Sequence, residues 1–208
     1  MLKIDLAESS QHLDHAPIVE AVIEIRTRSE SPWEESALRE HLKDKLPSYP
    51  KIISQSEFRH ELKLKAGGPP EQLFHDLGWR GLRLQSADGR YIAQFNRDGF
   101  VFSRLQPYES WDQFKEEAML LWKVYAELAK SQEVQRLGVR FINRITLPVG
   151  EVLLADYLMA PPQPPGELDL QITGFFHQDS LLVPGYPYVL NIVKTVQPPH
   201  GSGSDGGA

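Results

Sequence analysis

The chain has 208 residues, a formal net charge of −6 and no cysteine. Its length suits one large domain or two small ones, its acidic balance opposes general nucleic-acid affinity, which needs a concentrated basic surface, and the lack of thiols excludes disulfides, thiolate zinc sites and cysteine nucleophiles. No apolar run approaches the ~20 residues of a membrane span, and Met1–Glu8 has an early acid and no apolar stretch of a signal peptide, so a cytoplasmic protein is expected.

Residues 1–16 read as an irregular polar segment. Ile18 to Arg28 alternate, with Val19, Ala21, Ile23 and Ile25 on one face and Glu20, Val22, Glu24 and Arg26 on the other, the pattern of a half-buried strand. Ser31-Pro32-Trp33-Glu34 predicts a helix start, with Ser31 as N-cap and Glu34 closing a capping box. Trp33, Ala37, Leu38 and Leu42 share a face of this helix, which Pro47 and Pro50 end. A strand is expected over Glu57–Lys65, then a loop at Ala66–Pro70, with His75 in a short helical or loop segment. Gly78–Ser86, Arg90–Asn96 and Gly99–Leu105 predict an antiparallel meander joined at Asp88-Gly89 and Asp98-Gly99, dipeptides that tolerate positive φ.

Ser110 caps the longest helix, with Gln113 three residues on. Trp111, Phe114, Ala118, Leu121, Trp122, Tyr125, Leu128 and Ala129 recur at helical spacing. A second long alternating run spans Gln135–Leu147. A short helix is expected over Val152–Leu158, a stiff linker over Ala160–Gly166, and two strands over Leu168–Phe176 and Tyr188–Val196. The Gly/Ser/Pro tail, 197–208, has a composition that buries no face and is expected to be disordered.

The order is strand, helix, four strands, long helix, and then a restart. This predicts an α+β fold: a curved antiparallel sheet with the long helix packed on one face, in one domain over 17–196 with half-units 17–130 and 134–196. The layout matches a duplicated TATA-binding-protein-like (helix-grip) arrangement with an incomplete second half, an analogy of fold alone. In such an arrangement the first strands of the two halves lie side by side. Glu20 and Glu24 would then face Arg140 and Arg144, since each pair shares one face of its own strand. Two readings stay open: an ion-pair ladder on a solvated face, or a charged floor for a ligand or partner.

His15-Ala16-Pro17-Ile18-Val19-Glu20-Ala21-Val22-Ile23-Glu24-Ile25-Arg26 and Arg136-Leu137-Gly138-Val139-Arg140-Phe141-Ile142-Asn143-Arg144-Ile145 resemble a sporadically distributed prokaryotic family of uncharacterised proteins. The resemblance covers most of residues 12–196. It implies no activity, substrate or catalytic residue. It does imply a further strand and helix, absent from this sequence, and hence truncation at the C-terminus.

No phosphate loop, nucleophile elbow or His-Glu-x-x-His motif is present. His12, Asp14 and His15 are metal-ligand types, but nothing elsewhere completes a site, and His177 with Asp179 lacks a nucleophile in an activating context. The sequence therefore points to no catalytic residues, no metal and no cofactor. The expected function is that of a non-enzymatic binding or interaction protein using the sheet face or an open sheet edge, with a second copy or another protein as partner at the C-terminal edge. The alternative is a small-ligand protein or enzyme with a pocket between long helix and sheet, lined by Trp111, Trp122, Tyr125, Phe95 and Phe102.

Overall fold

The first alternating run becomes β1 (Ile18–Thr27), with Ala21, Ile23 and Ile25 buried on one face. A computed structural model of the chain describes residues 13–27, 33–63, 71–130, 133–148, 150, 152–163, 166 and 172–196. The fold is α+β, and the described residues divide into two compact units, one ending at Ile145 and one containing the residues from Thr146 on.

In the first unit β1 is followed by α1 (Glu35–Lys45), β2 (Lys51–Lys63), β3 (Glu71–Gln85), β4 (Tyr91–Asn96), β5 (Gly99–Leu105), α2 (Trp111–Ala129) and β6 (Val134–Asn143). The six strands form one sheet in the order β2-β3-β4-β5-β1-β6, antiparallel at every pairing. Both expected hairpin dipeptides sit at turns. Gly89 has φ 74° between β3 and β4, a left-handed conformation that glycine adopts without steric cost.

Helix α2 starts where the sequence predicts. Ser110 accepts a hydrogen bond from the Gln113 N–H through its side chain, satisfying one of the unpaired donors of the first turn. Phe114, Ala118, Leu121, Tyr125 and Ala129 then recur every three or four residues and are all buried. They pack with Trp33, Leu38 and Leu42 against Leu82, Leu84, Ala93, Phe95, Phe100 and Phe102 of the sheet. Phe100 lies at the centre of this core, with ring centroids of Phe95, Tyr125 and Trp122 at 5.6, 5.7 and 6.0 Å. The one polar atom that Tyr125 brings inside is used: its hydroxyl donates to the Asn96 carbonyl at 2.9 Å. Burial pushes its ionisation above the usual tyrosine range.

Several expected elements differ. Ser31 and Pro32, the expected cap and first helical residue, lie outside the described residues; α1 has Glu34 at its N-cap, with no side-chain capping bond. Strand β2 begins at Lys51, six residues before the expected Glu57, because Lys51–Gln55 pair with Gly81–Gln85 of the meander. His75 lies in β3, paired with Arg59, and not in a helix or loop. Strand β6 ends at Asn143, short of Leu147.

In the second unit the expected helix at Val152–Leu158 is a single 3₁₀ turn, Leu154–Asp156. Strands β7 (Phe176–Leu182) and β8 (Val189–Thr195) form an antiparallel hairpin. The first of them thus starts where the expected strand Leu168–Phe176 ends. Residues 172–175 are not strand, and 167–171, like the tail, lie outside the described residues.

Candidate interaction surface

The two look-alike strands are neighbours: β1 pairs with β6 in unbroken register from Glu20↔Ile142 to Arg26↔Arg136. Directly opposed residues share a face, so the register carries the helix-side face across the sheet in rows. One row runs Leu82, Phe95, Phe100, Ile25, Leu137, and the next Leu84, Ala93, Phe102, Ile23, Val139. The first four residues of each row are buried, whereas Leu137 is 66% and Val139 47% exposed. A third row ends Ala21, Phe141, with Phe141 42% exposed. Tyr108 and Trp111 reach Phe141 edge-on, with centroids at 5.9 and 6.4 Å, and Trp111 is itself partly exposed. The core's apolar face thus runs out onto the last strand of the sheet.

The two edges of this sheet are built differently. Edge strand β2 carries Lys51, Glu57, Arg59 and Glu61 and has two register breaks against β3, the usual safeguards against edge-to-edge pairing. Edge strand β6 is ten residues long and carries Arg136 and Arg140 but no proline or lysine, and its two register shifts against β1 fall at the ends of the pairing, leaving Glu20↔Ile142 to Arg26↔Arg136 regular.

On the opposite face the register sets the charges. Glu24 lies opposite Gly138, Val22 opposite Arg140, and Glu20 opposite Ile142. Glu24 pairs with Arg26 at 2.9 Å and with Arg136 at 3.0 Å. Arg140 shares that face and adds its charge from a distance. Arg144 lies just past β6, where its backbone N–H donates to the Pro17 carbonyl at 2.8 Å. Glu20 has no ion-pair partner among the described residues. The residue that sequence reasoning missed is Arg136, which stands diagonal to Glu24 once the register is known.

The hydrogen bond from Arg26, with the charges of Arg26, Arg136 and Arg140, holds the Glu24 carboxyl below its ordinary range against the opposing effect of burial. A depressed folded-state pKa contributes stability that is present above the unfolded value, about 4.3, and is lost as pH falls through the folded value. Glu24→Gln is therefore expected to lower stability at pH 7 by less than about 1 kcal/mol, the scale of a partly exposed ion pair. The variant should match wild type once the pH has fallen below the lowered folded-state value and the carboxyl is protonated in both states. Urea denaturation across pH checks this, and a deficit that persists unchanged into acid contradicts it.

Other candidate chemistry resolves into structure. His177 Nε2 lies 3.0 Å from Asp179 Oδ1 on an exposed strand face. Arg104 is only 4% exposed, yet its guanidinium lies 4.3 Å over the Tyr91 ring and 3.1 Å from Glu109, so it joins the meander to the start of α2. Phe95, Phe102 and Tyr125 are fully buried and, with Phe100 and Phe114, fill the space between α2 and the sheet. No helix among the described residues is long and apolar enough to cross a membrane. No family model, no curated protein and no solved structure matches the chain.

Proposed function

We propose that the chain is a non-enzymatic interaction module whose docking surface is the outer edge and helix-side face of β6. The observation that carries this reading is the set of rows that are buried from β3 to β1 and exposed only at Leu137, Val139 and Phe141. An edge strand that is regular through its middle offers backbone donors and acceptors to an incoming strand, and the apolar rows offer it area to bury. The filled interior between α2 and the sheet favours this surface over a ligand pocket. The reading takes the chain as a cytoplasmic protein of the prokaryotic family that its two long strands resemble. The adjacency of β1 and β6 supports two half-units that meet at their first strands.

The double variant Leu137→Lys, Phe141→Lys places charge on both flanks of the docking face, at two exposed positions. Light scattering is expected to show wild-type chain in an assembly, with itself or with a co-purifying protein, and the variant at the 23.6 kDa of one chain, with unchanged circular dichroism. A wild-type chain that purifies alone as a monomer, or a variant that assembles as wild type does, overturns the reading.

A further inference from the structure

We infer that the strand received by β6 is the β6 of a second copy, paired antiparallel about a two-fold axis at Val139. This rests on the reading of β6 as the docking edge and names its partner. Antiparallel pairing of identical strands is isologous, so one residue faces itself and every other contact occurs twice.

With Val139 facing Val139 of the other copy, Leu137 faces Phe141 and Phe141 faces Leu137. All three apolar side chains of each strand then meet on the helix side, extending the buried rows through both sheets. On the other face Gly138 faces Arg140, and Arg136 faces Ile142. Centring on Gly138 opposes Arg136 to Arg140, and centring on Arg140 opposes Arg140 to itself and Arg136 to Arg144, like-charge contacts that would add to the Arg26↔Arg136 opposition already present between β1 and β6; centring on Val139 leaves the arginines of the two copies only diagonal to one another. A one-residue slip turns the apolar face of one strand to the charged face of the other.

The same register aligns charge across three strands. Glu24 stands opposite Gly138 on β1, and Gly138 faces the second copy's arginine 140. Glycine places no side chain between them, so that guanidinium extends over the Gly138 backbone toward Glu24. Glu20 stands opposite Ile142, whose side chain separates it from Arg136 of the second copy, a residue that pairs with Glu24 of its own chain. Glu24 of each copy thus lies in line with Arg140 of the other across Gly138.

The chain has no cysteine, so a single introduced thiol reports the register. Residues facing each other across an antiparallel pair lie about 4.5–5.5 Å apart at Cα, within disulfide reach. Two copies of residue 137 would lie about 13 Å apart along the strands, out of reach. Under mild oxidation Val139→Cys is expected to form covalent dimer about tenfold faster than Leu137→Cys, given that difference in reach. Equal cross-linking of the two, or none at Val139→Cys, overturns the inference. If Val139→Cys stays uncross-linked while Leu137→Lys, Phe141→Lys still abolishes assembly, β6 docks a different chain: this inference falls and the docking reading stands. If that double variant leaves the assembly intact, both fall.

Discussion

Phe100→Ala is expected to lower the unfolding free energy by about 3–5 kcal/mol, the range for removing a buried phenyl ring. Phe100 has no exposed surface and touches the rings of Phe95, Phe102, Trp122 and Tyr125. These come from two adjacent strands and from α2, so no single side chain can move into the space without releasing another contact. A domain of this kind has only about 5–15 kcal/mol in total, so the variant should be near the limit of folding at 37 °C. Urea denaturation measures the loss. Leu120→Ala on the exposed side of α2 is the control, expected within about 0.5 kcal/mol of wild type. Similar midpoints for the two variants would mean that the helix does not pack on the sheet as described.

Gly81→Ala is expected to cost about 3 kcal/mol, the upper end of what over-packing a well-filled site costs. A Cβ on Gly81 would lie 2.1 Å from the Phe95 carbonyl oxygen and 2.8 Å from the Asn96 Cα. Both are backbone atoms of β4, the strand paired with Gly81, so relief requires β3 and β4 to separate. The contrast is Gly138→Ala, where the nearest atom is the end of the flexible Arg136 side chain at 3.8 Å; its effect on monomer stability should stay within about 0.5 kcal/mol. Thermal melts of the two variants test the pair, and equal effects would contradict the β3–β4 register.

The elements legible in the sequence were those that local chemistry decides. Asp88-Gly89 and Asp98-Gly99 mark the two turns of the meander, and Ser110 with the spacing from Phe114 to Ala129 marks α2. Residues 71–77 were not legible, because Leu73, Phe74 and Leu77 stand three and four apart, as on a helix. Their strand state comes from pairing with 58–63, a contact no local pattern records. The likeness of β1 and β6 announced their adjacency, but not their register. Register decides that Glu24 binds Arg136 while Arg140 stands opposite Val22. The odd-numbered apolar positions of β6 were visible as alternation. Their exposure was not, because it depends on where the cover supplied by α1 and α2 stops.

Amide hydrogen exchange along Val134–Asn143 tests the docking account most directly. In wild-type chain at concentrations where it assembles, the β6 amides that point away from β1 should be protected. They should exchange at least about tenfold faster in Leu137→Lys, Phe141→Lys, where the edge is open to water. Equally fast exchange of those amides in both proteins would show that nothing docks on β6 and would contradict the account.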